Sequence, residues 1–180
     1  MKVEQTGLPG LLLLTPTVHR DARGDFAETY NARAFDAAVG RAVSFVQDNQ
    51  SFSRRGVLRG LHYQLPRPQG KLVRAAAGAV WDVAVDLRRA SPTFGRWHGV
   101  ELSAANGRQL WLPEGFAHGF VALDDALLVY KTTDYWAPDA EHTLAWDDAA
   151  LAIDWPLSGA PVLSDKDRAG VRLADAPLFD

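Results

Sequence analysis

The sequence predicts an all-β fold, mainly antiparallel, built as a sandwich or barrel with a few short helices. Two observations point there. Short apolar or alternating runs recur through the chain with turn-forming residues between them, the rhythm of packed β-strands. Only one stretch carries both the spacing and the end signals of a helix.

That stretch comes first, from Asn31 to Gly40. Asn31 can cap the first turn, Phe35, Ala38 and Val39 share one side, and Gly40 can end the helix in a left-handed conformation. The strand candidates follow: Gly60 to Gln64, Leu72 to Ala77, Val80 to Leu87, Val100 to Leu102, Gln109 to Leu112, Phe120 to Leu123 and Leu127 to Lys131. Gly78, Asn106-Gly107 and Asp124-Asp125 punctuate three successive pairs, and hairpins are the expected connections at each. A second short helical turn is expected to begin at Ser164. The chain has no repeat and no low-complexity tract, and Leu65 to Pro68 is too short to separate domains, so residues 1–180 are expected to form one domain.

Composition narrows the function. With 47% hydrophobic residues, 180 residues can bury a substantial core. Nineteen Lys plus Arg against 22 Asp plus Glu give a net charge of −3, which argues against a nucleic-acid partner. The chain contains no cysteine, which removes disulfides and thiolate metal sites and points to the cytosol. The early apolar run Leu11 to Leu14 is far too short to span a bilayer, and Glu4 does not suit a signal peptide, so no membrane partner is expected.

Several polar residues fall where chemistry is possible. His62 lies within a strand-like segment beside Arg59, and an imidazole accepts protons near neutral pH; a packed or surface histidine is the competing reading. Tyr130 ends an apolar run, where its ring is buried and its hydroxyl can face a cavity, or can be satisfied within the core. Asp167 can orient a histidine or belong to a solvated turn. Strand alternation puts Asp82 on the side of Val80 and Ala84, which suggests a polar cavity, with an outward-facing residue as the alternative. Arg23 lies near Glu28, and Arg54, Arg55, Arg59 and Lys71 form a second basic concentration; guanidinium groups suit a diphosphate, and surface solubility explains the same residues without a ligand. No metal centre is expected, because His62 and His118 stand far apart in sequence and lack closely spaced histidine neighbours.

Taken in order, these motifs resemble one family. The segments Asp21 to Glu28, Phe45 to Asn49, Gly56 to Gln64, Gln69 to Arg74, Asp82 to Arg88, Ser91 to Gly95, Gly115 to Phe120, Tyr130 to Asp134 and Ser164 to Asp167 are similar to those of the dTDP-4-dehydrorhamnose 3,5-epimerases, over nearly the whole chain. The resemblance implies a cupin-like jelly-roll barrel and an isomerase without cofactor or metal. It implies a dTDP-linked 4-keto-6-deoxyhexose as substrate, inverted at C3 and C5 on the way to dTDP-L-rhamnose. It also implies His62 as base, Asp167 as its partner, Tyr130 as acid on the opposite sugar face, and Lys71 beside the sugar. Arg23, Phe26, Glu28, Gln47, Asp48, Asn49, Arg59, His118, Trp136, Glu141 and Lys166 match positions that hold the substrate. Family members form homodimers that exchange an N-terminal strand, which implies that Arg23 and Glu28 serve the partner's site. Trp136 stands where many members have tyrosine, and Gln50 where many have histidine. The first departure bears on the balance of C3 against C5 epimerisation, and a single-carbon epimerase or a ketoisomerase on the same scaffold is the alternative. A metal-dependent barrel enzyme and a carbohydrate-binding sandwich are the rivals outside this family.

Overall fold

The structure, a computed structural model, describes residues 1–180. The strands are β1 Lys2–Gln5, β2 Leu12–Thr15, β3 Val18–Asp21, β4 Gly24–Ala27, β5 Gln47–Ser53, β6 Leu58–Gln64 and β7 Lys71–Ala77. They continue with β8 Ala79–Asp86, β9 Trp97–Ser103, β10 Gln109–Leu112, β11 Phe116–Ala122, β12 Ala126–Thr132 and β13 Glu141–Thr143, and two short helices join them, α1 Ala32–Val39 and α2 Asp165–Arg168. One sheet has the order β1-β2-β10-β7-β12-β5, the other β13-β6-β11-β8-β9, and β3 with β4 forms a separate ribbon. Strand pairing within the sheets is antiparallel throughout, as the sequence predicts.

The two sheets close on each other around Val73, Leu110 and Leu128 from the first and Val80, Leu102 and Phe120 from the second. Both sheets are also covered from behind. Leu61, Val83, Val85 and Val121 pack against Leu144, Leu151 and Trp155 from the C-terminal segment. Leu12, Leu14, Leu72 and Trp111 pack against Phe35 of α1. Burial on two faces explains why β10 and β11 read as continuous apolar runs rather than alternating ones.

Helix α1 forms as expected. The Asn31 side chain accepts from the Ala34 amide, and Gly40 stops the helix at φ 81°. Phe35 is 2% exposed and meets Trp111 edge to face at 5.1 Å. Helix α2 begins at Ser164, also as expected, with its hydroxyl accepting from the Asp167 amide.

The three expected hairpins are corners instead. Gly78 joins β7 to β8, Asn106-Gly107 joins β9 to β10, and Asp124-Asp125 joins β11 to β12; in each case the chain leaves one sheet and enters the other. Turn residues permit the reversal but do not choose the hydrogen-bonding neighbour, which is set by tertiary packing. Two of the corners lie against each other, since a Cβ on Gly78 would collide with the backbone of Asp125 and Ala126. The adjacent hairpins are β1 with β2, β3 with β4, and β8 with β9.

Candidate active site

Toward one end of the barrel the facing surfaces of the two sheets turn from apolar to polar. On β12 the inner series runs Ala126, Leu128, Tyr130; on β7 it runs Ala75, Val73, Lys71; on β11 it runs Phe120, His118. These last residues open a cavity of about 290 Å³ whose lining is mostly polar.

Strict alternation along β6 would put Arg59 and His62 on opposite faces. Both line the cavity, while Leu58 and Leu61 pack behind the sheet. A register irregularity resolves this: His118 pairs with His62 and Phe120 pairs with Arg59, one residue fewer on β11 than on β6. The extra residue falls in the Gly60-Leu61 stretch. Gly60 has φ 120°, and a Cβ there would strike the Gly119 backbone, so glycine permits both the conformation and the close approach.

His62 donates its Nε2–H to Asp167 Oδ1 at 2.7 Å. The same oxygen accepts the Gly60 amide at 3.2 Å, and Oδ2 accepts the Ser164 hydroxyl at 2.6 Å. These donors outweigh burial and hold the Asp167 carboxyl at about 2. Burial pushes His62 below its ordinary value, against the opposing pull of Asp167. The ring is therefore a neutral imidazole whose Nδ1 lacks an in-chain partner and opens to the cavity. An oriented imidazole backed by a buried carboxylate is the arrangement of a general base.

Tyr130 faces His62 from the opposite sheet, and burial raises its phenol above the ordinary value. Lys71 is 9% exposed and has no hydrogen-bonding partner in the chain. Burial lowers its ammonium to about 8, against the opposing charges of Glu141 and Asp82. Glu141 is itself tied to Lys166 at 3.0 Å and accepts the Trp136 indole N–H at 3.4 Å.

Gln47, Asn49, Arg59, His118, Trp136, Glu141 and Lys166 line this same cavity, and Asp167 stands behind His62. Asp48 does not join them. The strand alternation that turns Gln47 and Asn49 inward turns Asp48 outward, where it pairs with Lys131 at 2.9 Å. Phe26 and Glu28 border a neighbouring groove that runs along the six-stranded sheet and also reaches Asn49 and Tyr130. Arg23, on the β3–β4 turn, holds Asp21 at 2.6 Å with its side chain 90% exposed. Within one chain none of these three lines the cavity that holds His62.

Two contributors were only half visible in the sequence. Alternation marked Asp82 as facing a polar space, and the structure pairs it with His118. Ser164 starts α2, and its hydroxyl also holds Asp167; the Ser-x-x-Asp spacing carries that signal. No three histidine or carboxylate side chains converge on a common point.

A family model described as dTDP-4-dehydrorhamnose 3,5-epimerase matches residues 5–175. The dTDP-4-dehydrorhamnose 3,5-epimerase of Pseudomonas aeruginosa is 59% identical over 180 residues, covering 99% of both chains. Among solved structures, a dTDP-6-deoxy-D-glucose-3,5-epimerase from Legionella pneumophila, in complex with dTDP-4-keto-L-rhamnose, superposes with a TM-score of 0.95 at 47% identity, covering 98% of this chain and 94% of that one. A 3'-monoepimerase from Streptomyces bikiniensis in complex with dTDP-quinovose superposes at 0.88 and 38% identity, covering 93% and 86%.

Proposed function

This chain belongs to the dTDP-4-dehydrorhamnose 3,5-epimerase family, and from that premise we propose how its own residues carry the reaction. It is an isomerase that acts on dTDP-4-dehydro-6-deoxy-D-glucose, inverting C3 and C5 to give dTDP-4-dehydro-L-rhamnose.

A ketone at C4 acidifies the hydrogens on C3 and C5, because loss of either leaves an enolate with its charge on oxygen. Nδ1 of His62 removes the proton, and the imidazolium that results is stabilised by the Asp167 carboxylate. The Tyr130 phenol returns a proton to the other face of the same carbon. The Lys71 ammonium balances the charge that develops on the C4 oxygen. The observation that carries this reading is the placement of imidazole and phenol on opposite sheets across one cavity. Inversion needs delivery to the face opposite abstraction, and one residue alone returning the proton would restore the starting configuration.

Arg59, Gln47, Asn49, His118, Trp136, Glu141 and Lys166 hold the sugar and its diphosphate in this reading. Arg23, Phe26 and Glu28 serve a partner subunit of a homodimer, which accords with their exposure and with the lining of this chain's own cavity, to which none of the three contributes. Residues 1–180 act as one catalytic domain, and a cytosolic location accords with the lack of cysteine. No helix is long and apolar enough to cross a membrane.

Proton NMR of the substrate in deuterated water tests the reaction. Loss of both the C3 and C5 signals is expected. Loss of only one would make this a single-carbon epimerase, the reaction type named for the 3'-monoepimerase that shares the fold. Retention of both would overturn the proposal.

A further inference from the structure

His62 is not the only imidazole in the cavity with a carboxylate behind it. His118 pairs with His62 directly across β11 and β6, so the two rings enter the cavity side by side. Nε2 of His118 lies 3.0 and 2.9 Å from the two oxygens of Asp82. A carboxylate oxygen only accepts, so Nε2 must carry the hydrogen, and Nδ1 is left without an in-chain partner and open to the cavity.

Asp82 itself is fully buried, at 0% exposure, on the inner face of β8, and His118 is its single hydrogen-bonding partner. A carboxylate in that position is costly, and an apolar residue would fill the strand at lower cost. Its charge also reaches Lys71, which lies on the facing sheet. Resting on the reading of the site above, we propose that Asp82 is a positioning residue for the epimerisation, locking the ring of His118 with Nδ1 toward the sugar and balancing the ammonium of Lys71. Asp82 never touches the substrate. It acts through two side chains that do, one from each wall of the cavity.

The surroundings of Lys71 define what removal of this charge does. Glu141 on β13 and Asp82 on β8 favour the ammonium, and Lys166 on α2 opposes it. His62 and Arg59 on β6, His118 on β11 and Tyr130 on β12 complete the lining. Loss of Asp82 leaves Glu141 as the one carboxylate named here that supports Lys71, so the ammonium loses its proton at a lower pH. The alkaline limb of the rate profile then moves toward neutrality.

The test compares wild type, Asp82→Asn, His118→Gln and the double variant by hydrogen exchange into substrate across pH 6 to 10 (roughly the range that brackets Lys71). Asp82→Asn is expected to lower kcat by roughly tenfold to a hundredfold, the range for losing a charge-assisted hydrogen bond. Its KM should rise only as far as the released His118 ring weakens its hold on the sugar, and its alkaline limb should shift to lower pH. In the His118→Gln background, Asp82→Asn should cost much less than it does alone, because part of its action passes through the missing ring. A purely structural Asp82 would leave the limb in place and give additive losses, and either result overturns the proposal. Should Asp82→Asn fail to fold, nitrogen NMR of the wild-type imidazoles decides: His118 protonated at Nε2 supports the lock, and protonation at Nδ1 with a bare Nε2 overturns it. Wild-type enzyme that exchanges no substrate hydrogen would instead sink the functional reading on which this one rests.

Discussion

Replacing Asp167 by Asn isolates the charge behind the proposed base, because the amide can occupy the carboxylate's hydrogen bonds. Oδ1 accepts from both His62 Nε2 and the Gly60 amide, and an Asn oxygen can do the same. Oδ2 accepts from the Ser164 hydroxyl, which can turn and accept from the new NH₂ group. Fold and tautomer are thereby retained. The Asp167 carboxyl is drawn from 3.8 to about 2, with His62 as the leading cause of the lowering. At about 1.4 kcal/mol per pKa unit, that net lowering corresponds to ~2.5 kcal/mol, which sets the order of the imidazolium stabilisation at stake, or roughly sixtyfold in the abstraction step. The variant should therefore lose on the order of that factor in kcat, measured by hydrogen exchange at C3 and C5 in deuterated water. The pH profile should change with a defined sign. Asp167 raises His62, so the variant's imidazole titrates lower and the acid limb extends to lower pH while the plateau falls. A variant within threefold of wild type, with its acid limb unmoved, would refute the assignment of Asp167 to the base.

Tyr130→Phe should still exchange substrate hydrogen with solvent but give little net inversion, because abstraction stays with His62 and delivery from the other face is lost; product analysis by NMR separates the two. Lys71→Met should lower kcat by roughly a hundredfold, as for removal of an oxyanion donor, and should abolish the alkaline limb near pH 8 that titration of this ammonium sets. Phe35→Ala should cost about 3–5 kcal/mol in denaturant unfolding, because it empties the contact between α1 and Trp111 without touching the cavity, and activity at low temperature should persist.

What the sequence revealed depended on how local each signal was. Helix α1 was legible to within a residue because Asn31 and Gly40 act on their own turns. Gln109 to Leu112 was legible because every residue of that strand is buried, so its apolar run has sharp ends. β5 was not anticipated, because Gln47, Asn49 and Ser51 face a polar cavity and leave no apolar alternation to read. The corners at Gly78, Asn106 and Asp124 concealed their nature because a change of sheet is a tertiary event. For the site, motif order brought His62, Tyr130, Lys71 and Asp167 together although they lie on separate elements. It said nothing of Arg59 crossing to the face of His62, which needs the irregular pairing at Gly60 and Gly119. Nor did it separate Asp48 from its neighbours, which strand alternation does.

Lys71 shows why part of the interior is left unfavourable. Its ammonium is buried without an in-chain hydrogen bond, and its fall from 10.5 to about 8 corresponds to a penalty of roughly 3.5 kcal/mol at 1.4 kcal/mol per unit. The folded-state value is depressed, so below about 8 the group is charged in both states and the fold carries the full penalty. Above the unfolded value of 10.5 it is neutral in both and the penalty vanishes. Lys71→Met should therefore be more stable than wild type at neutral pH by up to that amount, with the gain fading between those two values as chemical denaturation is repeated at rising pH. A ground-state sugar oxygen, neutral and polar, relieves little of the penalty; an enolate oxygen relieves most of it, so the cost held in the resting fold becomes a difference between substrate and transition state. Equal or lower stability of the methionine variant at neutral pH would mean that Lys71 is already satisfied at rest, and its part in stabilising the enolate would have to be given to another residue.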